Sequence, residues 1–248
     1  MTAIAACRTC GTEPLDNARF CHGCGSPIHE AGIRAEYKQV TVMFADVVHS
    51  MDIASAVGAE RLREIMAGLA DRCAAVVQRY GGTVDKFTGD GIMAVFGAPT
   101  ALEDHAVRAC LAALDVQEEA KRLAVETLER DGVDLQLRVG LNSGQVIAGE
   151  IGSGPFGYTA IGNQVGMAQR MESVAPSGGV MLTTSTARLI EGAASLGAVE
   201  LVQIKGSDVP VPARLLLGVS ERDHRAPAAE SALVGRRREM AVVEALLR

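Results

Sequence analysis

The 248-residue chain has no tryptophan and only three tyrosines and five phenylalanines. So small an aromatic supply argues against a surface that binds nucleic acid by stacking bases. Positive charge is also in deficit: 24 Lys and Arg stand against 30 Asp and Glu, a formal net charge of -6. The basic footprint that a phosphate backbone demands is missing, so neither DNA nor RNA is an expected partner. No apolar run approaches the ~18 residues that a membrane span needs. The N-terminus has no basic segment leading into an apolar one and does not read as a secretory signal. These absences point to a cytoplasmic protein, and 48% hydrophobic residues are ample for its core.

In a reducing compartment, six cysteines call for something other than disulfides. Cys73 and Cys110 fall on apolar stripes of helical patterns and read as small core residues. The other four, Cys7, Cys10, Cys21 and Cys24, form two CxxC knuckles, "CRTCG" and "CHGCG", separated by ten residues and each closed by Gly. Four thiolates delivered two at a time suit tetrahedral zinc, and the glycines permit tight turns whose amides approach sulfur. His22, inside the second knuckle, is either a competing ligand or a solvent-facing side chain. A zinc ribbon is therefore expected over residues 1–33. About 30 residues cannot build an adequate core alone, so zinc should hold the module together as a structural ion.

From residue 38 onward strands and helices alternate. "KQVTVMFADV" is a β-branched, apolar strand ending in Asp46 and Val47. Leu62, Ile65, Met66, Leu69, Cys73, Val76, Val77 and Tyr80 then follow a helical stripe that "YGG" stops. "TVDKF" and "IMAVFG" flank a Gly-Asp-Gly turn, a hairpin signal. A second helix is expected from "PTALE", with Thr100 and Glu103 as a capping box and Val107, Cys110, Leu111 and Leu114 facing inward. Two further strands, "LQLRVGLNSG" and "QVIAGEIGS", complete the order βαββαβ. That is an α+β, ferredoxin-like arrangement: an antiparallel sheet with both helices on one face.

In this topology the first strand neighbours the hairpin, which sets Asp46 near Asp90. Two carboxylates at one edge repel each other unless a cation lies between them. Oxygen ligands with open positions suit Mg²⁺. On hairpin chemistry alone Asp90 reads as an ordinary turn residue.

Four motifs in order, "FADVV", "DKFTGDG", "LRVGLNSGQVIAGEIG" and "GYTAIGNQVGMAQRME", resemble the catalytic domain of class III adenylyl and guanylyl cyclases. The resemblance covers about residues 38–217 and points to the bacterial branch related to bicarbonate-responsive soluble cyclases. It places the cyclase domain at 34–219. It implies conversion of ATP to 3′,5′-cyclic AMP and pyrophosphate, with two Mg²⁺ or Mn²⁺ ions held by Asp46 and Asp90. It further implies that Lys86 and Thr159 read the adenine ring, that Arg138 binds the triphosphate, and that Arg170 offsets charge building on the transferring phosphate. Taken singly, Arg138 and Arg170 read as solvated surface arginines. The family builds each site from two protomers, so one chain carrying both residue sets implies a head-to-tail homodimer with two sites.

Two positions depart from the family pattern. Gly166, in "GNQVGMAQR", stands where an asparagine normally orients ribose and transition state, and His49 and Ser50 replace a usual Gly-Phe or Gly-Ser. Losing one positioned donor typically slows chemistry by about 10²–10³-fold, so low activity is expected. The alternative is a catalytically weak nucleotide-binding module that regulates an attached effector or ATPase. Residues 220–248 begin as a polar linker, and "LVGRRREMAVVEALLR" resembles either the entry to an AAA-type ATPase domain that is cut short or a plain terminal helix.

Overall fold

The computed structural model describes residues 35–150 and 158–220, together with 6–7, 9–13, 15 and 20–26 near the N-terminus. The C-terminal segment expected to approach an ATPase lies outside the described residues from 221 onward. Among the described residues no helix is long and apolar enough to cross a membrane.

The order is β1 (Glu36–Val47), α1 (Ser50–Val57), α2 (Ala59–Arg79), β2 (Thr83–Phe87), β3 (Gly91–Phe96), α3 (His105–Asp131) and β4 (Leu137–Glu150). Then come β5 (Tyr158–Ile161), α4 (Asn163–Val174), β6 (Val180–Thr183), α5 (Thr184–Leu189), β7 (Ala194–Val202) and β8 (Val211–Val219). One sheet runs β2-β3-β1-β4-β6-β8-β7, with β5 paired to β4 off that path.

Side chains of β1 alternate between two cores. Met43, Ala45 and Val47 meet α2 and α3, whereas Val40, Val42 and Phe44 meet Ala168 of α4. Burial on both faces is why β1 reads as an almost unbroken apolar run. The stripe expected on α2 packs inward through Ile65, Leu69, Cys73, Val76 and Val77. Cys73 and Cys110 are core residues, and burial pushes both thiols up to about 12.

The ferredoxin-like expectation holds for the β1–α2–β2–β3–α3–β4 half, with α2 and α3 on one face, and needs several corrections beyond it. "LQLRVGLNSG" and "QVIAGEIGS" are not two strands: they form the single 14-residue β4. The strand runs on through Gly144, where a Cβ would stand 2.8 Å from Gln164 Cδ. A glycine in a strand can mark close approach as well as a turn. The sheet is mixed, because β6 runs parallel to β4, and α4 covers the second face. Thr100 and Glu103 do not cap α3, which begins four residues later behind Asp104 with no side-chain cap. Finally, a short helix that the sequence reading did not include, α1, opens two residues after β1.

Candidate active site

The end of β1 and the tip of the β2–β3 hairpin meet because β1 pairs with β3 in a register that sets Asp46 opposite Gly91. The Val47 amide donates to the Asp90 carbonyl at 3.2 Å. The central turn residues are Gly89 and Asp90, with Gly89 at φ +99° and the Thr88 amide bonded to the Gly91 carbonyl. Gly91 is required: a Cβ there would lie 2.5 Å from both the Ala45 carbonyl and Asp46 Oδ1. The "GDG" sequence thus brings two carboxylates together.

Burial, then the charge of Asp90, then that of Glu172, push the Asp46 carboxyl up to about 7, against the pull of Arg138. Asp46 Oδ1 is buried and accepts no hydrogen bond from any described residue. Ser50 Oγ donates to Asp90 Oδ2 at 2.6 Å. Its neighbour His49 adopts the left-handed conformation (φ +55°) just before α1. That strained non-glycine position is the one the sequence flagged. A buried carboxylate oxygen without a donor, beside a second carboxylate, is the donor set expected of a hard divalent cation such as Mg²⁺ or Mn²⁺.

Arg138 joins this cluster from β4, directly opposite Asp46 in the sheet register. Its Nε lies 3.2 Å from Glu172 Oε1 of α4 as a charge contact without hydrogen-bond alignment. Burial raises the Glu172 carboxyl and Arg138 lowers it. Helix α4 reaches this depth because Gly140 of β4 lets the backbone of Ala168 and Glu172 sit against the sheet. The Asn142 amide also donates to the backbone carbonyl and Oε1 of Gln164 at 2.9 and 2.7 Å.

Arg170, on the same helix, makes no hydrogen bond or ion pair among the described residues and lies beside the Gly206 turn. It is not part of the Asp46–Asp90–Arg138 cluster within this chain. Nothing within 4 Å would meet a Cβ at Gly166.

A second group forms where β2 approaches β5. Thr159 Oγ1 donates to Asp85 at 2.8 and 3.0 Å, and the Ala160 amide donates to Asp85 Oδ2 at 3.0 Å. The β2–β3 register shifts between Val84 and Lys86, leaving Asp85 as an extra residue. Lys86 follows, exposed.

The four N-terminal cysteine sulfurs lie within 4.8 Å of one another. Cys7 and Cys24 approach to 3.7 Å, Cys10 and Cys21 to 3.5 Å, and the Gly23 amide points at Cys21 Sγ at 3.3 Å. The set fits one tetrahedral ion of zinc type.

Sequence reasoning passed over Asp85 and Glu172, and it marked Ser50 only as a departure from the family pattern, not as a partner of Asp90. A charge inside the strand-like "VDKF" and a glutamate next to apolar Met171 in "MAQRME" were the available signals.

Comparison with known proteins gives one family model, the adenylate and guanylate cyclase catalytic domain, matched over residues 33–213. Adenylate cyclase 1 of Rhizobium meliloti is 29% identical over 160 residues, covering 64% of this chain and 24% of that protein. The chain therefore spans about a quarter of that relative's length. The adenylyl cyclase CyaB of P. aeruginosa has a similar structure (TM-score 0.71, 27% identity, 77% of this chain and 99% of that one). So has the guanylyl cyclase Cya2 (TM-score 0.72, 27% identity, 76% and 96%).

Proposed function

The chain belongs to the adenylate and guanylate cyclase catalytic domain family, and from that premise we propose that it converts ATP to 3′,5′-cyclic AMP and pyrophosphate. The observation that carries this reading is the pairing of Asp46 with Asp90 around a buried, donorless carboxylate oxygen. Both carboxylates would hold the divalent ions, Mg²⁺ or Mn²⁺. When bound, such ions polarise the α-phosphate and make the ribose 3′-hydroxyl easier to deprotonate. The 3′-hydroxyl proton passes to solvent or to the departing pyrophosphate, the 3′-oxygen bonds to the α-phosphorus, the bond to the bridging oxygen breaks, and pyrophosphate leaves.

The chain's own groups bind and orient the nucleotide. Arg138, held against Glu172, supplies positive charge to the triphosphate. Lys86 donates to a ring nitrogen of adenine, and Thr159 meets the 6-amino group. Arg170 offsets charge on the transferring phosphate from across a head-to-tail homodimer, which accords with its making no ion pair with the acidic cluster among the described residues of its own chain. The four cysteines hold a structural zinc ion.

One observation favours a second reading, in which the domain binds nucleotide weakly or turns it over slowly and regulates an attached effector. Gly166 offers no side chain to the ribose. The deciding experiment incubates purified protein with Mn²⁺ and either ATP or GTP and measures cyclic product. Cyclic AMP formed by wild type and lost in Asp90→Ala supports the cyclase; nucleotide binding without product supports the regulatory module.

A further inference from the structure

A threonine hydroxyl can donate or accept, so Thr159 by itself does not distinguish adenine, with a donating amino group at position 6, from hypoxanthine or guanine, with an accepting oxygen there. Its surroundings do. Asp85 Oδ2 already receives the Ala160 amide at 3.0 Å, and both Asp85 oxygens lie 2.8–3.0 Å from Thr159 Oγ1. A carboxylate is an acceptor, so the hydrogen in that contact belongs to threonine. With its one hydrogen committed, Thr159 has only lone pairs to present to a ligand.

Resting on the cyclase reading, in which Lys86 and Thr159 face the purine, we propose that Asp85 is the residue that sets base selectivity. It polarises Thr159 into an obligate acceptor, so the site takes purine nucleotides carrying a 6-amino group and rejects those carrying a 6-oxygen. A 6-oxo purine would bring a lone pair against a lone pair, and a site that leaves such a polar pair unmatched discriminates strongly. The local structure supports a dedicated role. The register shift beside Asp85 interrupts regular β2–β3 pairing, and the residue reaches a partner 74 positions away. Asp85 acts through Thr159 and is a positioning residue.

The test uses ATP and inosine triphosphate, which differ in the group at position 6 and in the hydrogen that the 6-oxo ring carries on N1, and compares kcat/KM for wild type, Asp85→Asn and Thr159→Val. Because the N1 difference is the same for every variant, the change in preference between variants reports on position 6. Asparagine keeps the size and can still accept from the Ala160 amide through Oδ1. Its Nδ2 donates to Thr159, freeing the threonine hydrogen for a 6-oxygen. Wild type should prefer ATP by tenfold or more, about the worth of one hydrogen bond. Asp85→Asn should erase most of that preference, chiefly by gaining activity with inosine triphosphate. Thr159→Val should erase it by losing activity with ATP.

The same pair of nucleotides displacing a fluorescent ATP analogue from the full chain gives a second readout. If no variant makes cyclic product, the cyclase reading falls, and this displacement alone decides the inference. A preference for ATP that disappears in Asp85→Asn supports it. Equal use or binding of the two nucleotides by wild type overturns it, as does full retention of the ATP preference by a folded Asp85→Asn.

Discussion

Replacing Asp46 by asparagine should stabilise the metal-free protein at pH 8 while removing its response to divalent ions. Asp46 sits half-buried with its carboxyl raised from 3.8 to about 7, first by burial and then by Asp90 and Glu172. Raising a carboxyl above its unfolded value favours the protonated folded state, so this group weakens folding as pH climbs from 3.8 through 7. The span, about 7 minus 3.8, is roughly 3 units, and at 1.36 kcal/mol per unit the full penalty above pH 8 is about 4 kcal/mol. Solvent at the sheet edge screens part of this, so 4 kcal/mol is an upper bound. An asparagine never ionises, and in chelator at pH 8 it should recover a large fraction of that penalty; at pH 4 the two proteins should be nearly equal.

Divalent metal should stabilise wild type and leave the variant almost unaffected. Mn²⁺ at about 100 times its dissociation constant would stabilise wild type by about 2.7 kcal/mol, with a smaller gain at pH 6, where protons compete for Asp46. Asp46→Asn should gain little at either pH. Thermal or urea unfolding in chelator and in Mn²⁺ measures all of these quantities without relying on catalysis. The reasoning fails if Asp46→Asn is no more stable than wild type in chelator at pH 8, or if Mn²⁺ raises both proteins equally.

Three further outcomes are expected. Asp46→Ala and Lys86→Ala should each abolish cyclic product alone, and mixing them should restore part of it, since a mixed dimer keeps one intact site; folded, subunit-exchanging mutants that never complement would rule out the shared site. Metal analysis should find about one zinc per chain in protein grown with ample metal, and Cys10→Ser with Cys21→Ser should remove it; zinc content unaffected by those changes would exclude the four-thiolate site. Gly166→Asn should raise kcat by up to about 10²-fold with ATP affinity little changed, because a Cβ at this position meets nothing within 4 Å and asparagine is no worse than glycine inside a helix. Normal ATP binding with no gain in kcat would mean that the missing asparagine is not what limits the chemistry.

How much of this was legible depended on whether a feature is local to one segment. The apolar run of β1, the stripe of α2 and the charge at a Gly-Asp-Gly turn each report the environment of their own stretch, and the structure gives them the placement expected. Adjacency of Asp46 and Asp90 followed from strand order alone. Glycine was harder, because it signals either a turn or a close approach. Gly89 is a turn residue, whereas Gly144 and Gly140 make room for Gln164 and for the backbone of α4. The two strands expected to either side of Gly144 are in fact the single strand β4.

The polar pairs that shape the site share one physical reason for escaping notice. Arg138 with Glu172, and Asp85 with Thr159, join segments 34 and 74 residues apart. A charge in a buried pattern does say that a partner must exist, since an unpaired buried charge is costly. Periodicity says nothing about which partner. For Glu172 the identity depends on Gly140 admitting α4 to the sheet, and for Asp85 on an irregular strand register that frees one residue of β2 to reach β5. Both arise from packing between elements. The residues that form these pairs are therefore those whose own sequence neighbourhood announces least.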